Sequence, residues 1–431
     1  MRRANVIPSP FNSLLFLLKY KTKIRKIVNL NGDHINHSIV LGWKIAFWIC
    51  AFLVFYTYFG YGIILFLLVK IKEWIAKPHH VDKHYVLPDV TLLIAAYNEE
   101  DVVEEKMKNC DALIYPEGKF HVVWVTDGST DRTNELLAKY PDVTVLYSPE
   151  RRGKTAAVNR AMKEIKSPIV VLTDANTMIN PSAMELMARC FADPNVGCVA
   201  GEKRVHGPED SGAAASEGMY WKYESFLKDL DNRLYSTQGA AGELYAVRRE
   251  LWTEMPDNTL LDDFIASMTI AASGKKIAYC KDAYAVEGPS ANIDEERKRK
   301  RRISAGGLQS VWHMRGLLNF WQHKRLTFQY VSHRVLRWTV TPVALFALFP
   351  LNVIIVLGGY TAVYGVLLFL QTAFYVSAIG GRSAERMGRR RKTSLFVPYY
   401  FVFMNISVIF GWKYFFENKK KGGVWEKAKR A

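Results

Sequence analysis

The sequence predicts an α/β protein, a mostly parallel sheet covered by helices and flanked by transmembrane α-helices. Three observations predict it. Strand-like apolar runs alternate with amphipathic helical stretches in the middle of the chain, in the order that builds a parallel sheet. Charge-free apolar blocks long enough to span a bilayer lie on both sides of that middle. Polar, ligand-competent residues follow one strand after another. The chain has 431 residues, 49% of them hydrophobic and 13% aromatic, which excludes a disordered or low-complexity protein. Its 58 Lys+Arg against 41 Asp+Glu give a net charge of +17, which fits an anionic partner such as a lipid surface, a nucleic acid or a phosphorylated substrate. The basic residues gather beside the apolar blocks rather than on one soluble face, and this argues against a nucleic acid.

Residues 45–69 carry no charge and suffice for one spanning helix; they begin too late and run too long for a signal peptide. In the middle, strands are expected at Val90–Ala95, His121–Val125, Val143–Tyr147, Ile169–Leu172 and Val196–Ala200. Helices are expected at Glu99–Asn109, Asp131–Lys139, Thr155–Lys166 and Pro181–Ala192; in the third, Ala157, Val158, Ala161, Met162 and Ile165 share one face. A second charge-free block, 339–379, breaks at Gly358-Gly359 and at Gly380-Gly381, as a two-span hairpin would, and a third runs over 395–412. The expected total is four spans. The division is a tail and transmembrane helix over 1–87, a cytoplasmic domain over 88–306, and an interfacial helix with the remaining spans over 307–431.

Charge sets two conflicting constraints on orientation. The loop 380–394, with Arg382, Arg386, Arg389, Arg390, Arg391 and Lys392, is expected to stay cytoplasmic. One span before the domain and three after it would place both basic ends (Lys19 to Lys26 and Lys419 to Arg430) outside, and the run 14–18 is too brief to span. Cys50, Cys110, Cys190, Cys198 and Cys280 form no CxxC pair, so neither a disulfide scaffold nor a structural zinc site is expected, and the middle domain suits a reducing compartment.

In a parallel sheet ligands bind beyond the carboxyl ends of the strands. Here those ends carry Tyr97-Asn98-Glu99, Asp127-Gly128-Ser129, Arg151-Arg152-Gly153-Lys154 and Asp174-Ala175-Asn176. Any one is weak, because Asp-Gly-Ser is a common turn. Four at one sheet edge point to a nucleotide site: an aromatic face and carboxylate for the base, a lysine for phosphate, and an acid/amide pair for a divalent ion. Gly153-Lys154-Thr155 is not a P-loop, since Ser148 stands where that motif needs glycine. Lys154 at a helix start still attracts phosphate.

Residues 88–310 with the flanking helices resemble the membrane-embedded processive glycosyltransferases of family 2, the hyaluronan, cellulose, chitin and poly-N-acetylglucosamine synthases. The resemblance implies a GT-A type, Rossmann-like glycosyltransferase domain. It implies that Tyr97 and Glu99 cradle uracil, that Asp127 contacts uridine, that Lys154 serves the nucleotide with Asn159 on the following helix, and that Asp174 with Asn176 holds Mg2+ or Mn2+. Asn176 stands where the family has a second aspartate and removes one negative charge. Gly239 to Ala246, with Gly242 and Glu243, resemble the acceptor-side glycine segment. Leu261-Asp262-Asp263 resembles the Thr-Glu-Asp motif, which makes Asp263 the catalytic base and Asp262 its acceptor-side neighbour. The bland alternative is that one of the two caps a helix over 264–273.

The family's Gln-x-x-Arg-Trp step departs most. Arg302 fits the arginine, Arg299 replaces the glutamine and Ile303 the tryptophan, so a stacking platform for the acceptor sugar is missing from that position. The run Arg297–Arg302 also suits an interfacial helix on anionic lipid, and Trp312 and Trp321 suit the interface. The resemblance implies an inverting, β-forming transfer from a UDP-sugar to a growing polysaccharide at the cytoplasmic face of the cell membrane, in a multi-pass enzyme whose product a polar and aromatic channel would carry. Gln371, Asn405, Trp338, Tyr360, Tyr364 and Tyr375 are channel candidates, although packing amides and interfacial aromatics are commoner. Two alternatives stand beside this: addition of a single sugar to a lipid-linked acceptor, and a membrane nucleotide-binding protein with no transferase activity.

Overall fold

The computed structural model describes residues 33–75, 85–205, 212–288, 293–359, 362–387 and 393–417. The expected basic residues of both ends, the run 14–18, Tyr360 and the loop cations Arg389 to Lys392 lie outside them. In chain order the N-terminal helices are α1 (Asp33–Phe55) and, after a π-helical turn at Tyr56–Gly60, α2 (Tyr61–Ile75). The middle follows as β1 (Val90–Ala96), α3 (Val103–Asp111), β2 (Phe120–Asp127), α4 (Thr133–Leu137), β3 (Thr144–Ser148), α5 (Lys154–Glu164), β4 (Ile169–Asp174), β5 (Met178–Ile179), α6 (Ala183–Cys190) and β6 (Val196–Val205). Then come α7 (Gly212–Leu234), β7 (Tyr245–Arg248), α8 (Asp262–Ala272), β8 (Lys276–Glu287) and α9 (Ile293–His313). The C-terminal part holds α10 (Phe320–His323), α11 (Arg325–Tyr330), a π-helical turn at Val331–Val335, α12 (Leu336–Trp338), α13 (Val340–Leu357), α14 (Ala362–Arg386) and α15 (Thr393–Glu417).

The eight strands among the described residues form one sheet in the order β3-β2-β1-β4-β7-β6-β8-β5. The half built from β1 to β4 is parallel throughout. Beyond β4 the sheet is mixed: β7 runs antiparallel to both β4 and β6, β8 is parallel to β6, and β5 antiparallel to β8. The expectation of a mostly parallel sheet therefore holds for one half. The reason is that β7 and β8 do not read as apolar runs, and β7, reached from β6 through α7, inserts between β4 and β6 antiparallel to both.

Strands β1 and β4 are buried on both faces, which is why they are continuous apolar runs. Alternate residues serve opposite cores. Leu92, Ile94 and Trp124 face one core with Met107 and Met187. Leu93, Val123 and Val125 face the other with Ala157, Val158, Ala161 and Met162, the predicted face of α5. Each fully buried Leu or Ile contributes about 2 kcal/mol by transfer from water. The five cysteines are free thiols.

Contacts divide the chain into two units, one of residues up to Phe55 with Val343–Val376, the other of Tyr56–Pro342 with the residues from Ser377 on. In the first, Trp48 donates its indole N–H to the Tyr364 hydroxyl at 3.0 Å and Asn352 donates to Gln371 at 3.0 Å, so Gln371 is a helix-packing amide. Val363, Val366, Phe369 and Leu370 are exposed, a surface that lipid rather than water suits.

Among the described residues four helices are long and apolar enough to cross a membrane: Ile39–Ile75, Val340–Leu357, Ala362–Arg386 and Ser394–Glu417. The break at Gly358-Gly359 is present, with Gly359 at φ 96°. The break at Gly380-Gly381 is not: α14 continues to Arg386. A Cβ at Gly381 would meet the Leu395 carbonyl oxygen and lie 2.8 Å from the Tyr399 Cβ. Glycine there lets α14 and α15 approach closely, at about 1 kcal/mol of helix propensity.

Candidate active site

The parallel half of the sheet brings its strand ends together. Asp127, the last residue of β2, is buried, and its carboxylate accepts the backbone N–H groups of Arg152 (3.0 Å) and Gly153 (2.6 Å). That clamp fixes the turn into α5. Gly153 sits at φ 100° and Gly128 at φ 67°, conformations that side chains resist, and a Cβ at Gly128 would lie 2.8 Å from the Arg151 nitrogen. Helix α5 thus starts at Lys154 with its side chain held over the strand ends.

Lys154 Nζ lies 2.6 Å from Asp174 Oδ1 and 3.7 Å from Asp262 Oδ2. Burial pulls the ammonium's pKa down, but Asp174, Asp262 and Asp263 outweigh it and hold it above the usual lysine value. A Cβ at Gly242 would be 3.4 Å from both Lys154 Nζ and Asp263 Oδ2. Lys154, Asp174, Gly242, Asp262 and Asp263 therefore meet at one place, although they come from four separate stretches of chain, and Asp127 lines the same cavity. Asp262 and Asp263 open α8, and Asp263 Oδ1 accepts the Phe264 N–H at 2.8 Å. One carboxylate oxygen so partly caps the helix, and the other faces Gly242. Burial first, and then the adjacent Asp262 carboxylate, push Asp263 up to about 7, with Lys154 opposing.

The remaining predicted residues surround this cluster. Tyr97 lies under the Arg151 guanidinium, 3.7 Å from ring centroid to Cζ. Tyr97, Glu99, Asn176 and Arg302 line the same cavity of about 740 Å³, as do Arg299 and Ile303. Asn159 faces elsewhere: its amide donates to the Met255 carbonyl at 2.7 Å and fixes the approach to α8. Glu243 is bound to Lys203, which also holds Glu287 at 2.5 Å, so burial is outweighed and Glu243 stays ionised well below the usual carboxylate range. Its carboxylate is a structural anchor, and Gly242 beside it is what reaches the cluster.

The cavity extends beyond these residues, and most of that extension is not evident in the sequence motifs. Its far side is lined by Tyr58, by Trp221, Glu224 and Lys228 of α7, by Arg334, Arg337 and Trp338, and by α15 from Val397 to Val408. Trp338 packs edge-on against Phe264, the residue after Asp263, at 5.0 Å. Glu224 Oε1 takes Arg334 at 2.7 Å, and its Oε2 takes Arg337 at 3.2 Å and His333 at 3.3 Å. His333 Nδ1 in turn lies 2.5 Å from Asp231. Tyr58 donates to Asn405 at 2.7 Å, so of the channel candidates Asn405 and Trp338 border the cavity. The signal that was available is Arg337-Trp338, an Arg-Trp step one segment later than Arg302-Ile303.

Comparison with known proteins places this geometry. Residues 88–307 match the model of a family described as glycosyltransferase like family 2. The poly-beta-1,6-N-acetyl-D-glucosamine synthase of Staphylococcus aureus (strain MSSA476) is 35% identical over 123 residues, 28% of this chain and 29% of that protein. The synthase of the same name from Staphylococcus epidermidis is 29% identical over 163 residues, 36% of this chain and 39% of that one. The matches thus span well under half the length of these relatives. Among solved structures, the mannosyltransferase PcManGT from Pyrobaculum calidifontis, in complex with GDP-Man and Mn2+, has the same fold with a TM-score of 0.65 at 23% identity, over 87% of this chain and all of that one. The chain belongs to glycosyltransferase like family 2 and is a glycosyltransferase of GT-A fold.

Proposed function

We propose that the protein is an inverting enzyme that moves a sugar from a UDP-sugar to a glycan acceptor at the membrane, with β-linked polysaccharide as the product. The observation that carries this is the convergence of Lys154, Asp174, Asp262 and Asp263 around Gly242 at the carboxyl edge of the parallel strands. Asp263 is the base. It removes the proton of an acceptor hydroxyl while that oxygen bonds to C1 of the sugar, and the C1–O bond to the diphosphate breaks with its electron pair leaving on the diphosphate. A base with a pKa near 7 suits this task. Tyr97 and Glu99 hold the uracil, with Asp127 organising the turn beneath it. Lys154 and Arg302 meet the diphosphate, and preorganised cations there stabilise the charge on the leaving group.

Among the described residues no three His, Cys, Asp or Glu side chains form a self-sufficient metal cage. Asp174 and Asn176 nonetheless fit Mg2+ or Mn2+, because such ions take few protein oxygens and complete their shell with phosphate and water. Lys154 pressed on Asp174 shows that this carboxylate already gathers positive charge. Bound there, the ion would supply charge neutralisation to the diphosphate. The names of the staphylococcal relatives make UDP-N-acetylglucosamine the first donor to test.

A second reading, single addition to a lipid-linked acceptor, is favoured by the apolar residues that α15 turns into the cavity, Val397, Phe401, Met404 and Val408. The four helices and the cation-rich loop expected to stay inside support a multi-pass protein of the cell membrane with its catalytic domain in the cytoplasm.

The test is Asp263→Asn in detergent-purified protein, supplied with radiolabelled UDP-N-acetylglucosamine and Mn2+. Transfer should fall by about 10²- to 10⁴-fold while UDP binding is kept. Turnover near wild type would remove the base assignment. Transfer from GDP-mannose but not from UDP-sugars would remove the donor assignment.

A further inference from the structure

Asp263 stands in the first turn of α8, and Leu261, the residue before that helix, brings no side-chain cap to it. The direction in which the Asp263 carboxylate points is therefore set by how the chain arrives. The arriving stretch, residues 255–261, is held from two sides. From α5, the Asn159 amide donates to the Met255 carbonyl at 2.7 Å and accepts the Met255 N–H at 3.2 Å, and the Thr155 hydroxyl donates to the Thr259 carbonyl at 3.3 Å. From α9, Gln309 takes the last turn before the helix. Its amide oxygen accepts the Leu260 N–H at 2.9 Å, and its amide nitrogen donates to the Asn258 carbonyl at 2.9 Å. One side chain thus stands in for a neighbouring strand, meeting one donor and one acceptor of the same edge. Gln309 is buried. Burying and ordering a long amide is costly unless both of its ends are used, and here both are.

Helix α9 touches the same stretch a second time. A Cβ at Gly306 would lie 2.6 Å from Leu261 Cγ and 3.1 Å from Leu260 Cβ. Gly306 and Gln309 are three apart and share a helix face. The rest of α9 is packed without slack. A Cβ at Gly307 would lie 2.6 Å from Trp338 Cδ2, and one at Gly411 of α15 would lie 2.5 Å from Ser304 Cβ. So α9 is fastened to a helix long and apolar enough to cross a membrane and, through Gly306 and Gln309, to the residues that lead into Asp263. The tolerance at that carboxylate is small, because a base must lie within hydrogen-bond reach of the proton it takes. A misplacement of about 1 Å costs on the order of 10²-fold in rate.

We infer that Gln309 is a positioning residue for the transfer: from α9 it fixes the backbone of residues 258–261, and through that backbone the place of the Asp263 carboxylate beside Gly242. Gln309 does not line the cavity and meets no reacting group, so it acts only through the segment it holds. This role rests on Asp263 as the base.

The experiment compares wild type, Gln309→Met, Gly306→Ala and Asp263→Asn, each as the full chain in nanodiscs with radiolabelled UDP-N-acetylglucosamine and Mn2+. Gln309→Met keeps the length of the side chain and removes both hydrogen bonds. It should lower kcat by about ten- to a hundredfold. The KM for the UDP-sugar and the affinity for UDP should change by less than about twofold, since the residues assigned to the nucleotide sit on other elements. The acid limb of kcat/KM, expected near pH 7 in the wild type, should move to lower pH, because a carboxylate loosened toward water loses the burial that raises it. Gly306→Ala removes no hydrogen bond but pushes on the same segment, and it should give the same split between kcat and KM. A glutamine that only supports the fold would behave differently: the melting temperature and the amount of UDP-binding protein would fall, while kcat per UDP-binding molecule and the acid limb stayed in place. That pattern, a wild-type kcat in Gln309→Met, or a loss of UDP affinity in step with kcat would each overturn the inference. If Asp263→Asn abolishes transfer and Gln309→Met does not impair it, the positioning role fails and the base stands. If Asp263→Asn leaves transfer intact, the base assignment fails and the positioning role falls with it.

Discussion

The two ends of the cavity hold charge in opposite ways. At the sheet end Asp174, Asp262 and Asp263 crowd around one cation, Lys154. At the membrane end Arg334, Arg337 and His333 surround Glu224, and His333 also meets Asp231. The first arrangement has more carboxylates than cations and suits added positive charge; the second pairs its two carboxylates, Glu224 and Asp231, with Arg334, Arg337 and His333 and is closed on itself. One end of the cavity is thus open to a further cation, and the other has its charges satisfied within the protein.

The lysine at the sheet end offers the largest way to break this comparison. Lys154→Ala leaves three carboxylates facing one another without the cation that touches two of them. Transfer should fall by roughly 10²- to 10³-fold in kcat, the size seen when one preorganised charge partner is removed from a transition state, and Lys154→Arg should recover part of it. A loss confined to KM would mean that Lys154 binds donor and transition state equally.

At the membrane end the matching change is Glu224→Gln. It leaves the partly buried Arg334 and Arg337 without the carboxylate they share, and leaves buried His333 with Asp231 alone. Breaking a buried pair by removing one partner costs about 3–5 kcal/mol, which for a domain of this size corresponds to a fall of about 10 °C in the melting temperature. Thermal unfolding in detergent checks it. An unchanged melting point would show that the cluster is open to water and free to reorganise, and the contrast between the two ends would weaken.

These two ends were not equally legible in the sequence. The sheet end was, because fully buried parallel strands are contiguous apolar runs and each stops at a polar residue on the same edge. Of the mixed half only β6 was, at Val196–Ala200: Tyr245–Arg248 is short, and Lys276–Glu287 is interrupted by Lys281 and Asp282. Helix α7 was missed for a related reason, since its apolar face is interrupted by Glu224, Lys228 and Asp231, which the membrane-side cluster needs. That cluster joins α7 to residues 333–338 and to α15, stretches far apart in the chain, and no local spacing announces it. The Arg-Trp step was sought at Arg302-Ile303, where the helix preceding the spans aligns with the family pattern, while the cavity takes its tryptophan from Trp338.

Acidity separates the ends next. Asp263 must be ionised to act as a base, and with a pKa of about 7 its working form is lost as pH falls. The kcat/KM for transfer should drop about tenfold for each unit below that value. The same shift has a stability consequence of opposite sense. The folded protein keeps a proton that the unfolded chain releases near the ordinary carboxylate value, so this group's contribution is full in acid and is lost as pH rises through about 7. A profile flat from pH 5.5 to 8 would mean that another group takes the proton.

The smallest effect sharpens the sheet end alone. Asn176 gives that end an amide where a second carboxylate would complete an Asp-x-Asp pair. Asn176→Asp adds one negative charge within reach of an ion held by Asp174, and ligand charge sets divalent affinity. The concentration of Mn2+ giving half-maximal activity should fall by a few-fold, with kcat changed less than twofold, because in the proposed site Asp174 and the diphosphate would already hold the ion. Lys154 bears on the sign. If the new carboxylate captures Lys154 instead, Mn2+ requirement will be unchanged and the KM for the UDP-sugar will rise, since the lysine is then withheld from the phosphates. Measuring both constants on one variant therefore distinguishes a deficit of metal ligands from a competition for a single ammonium.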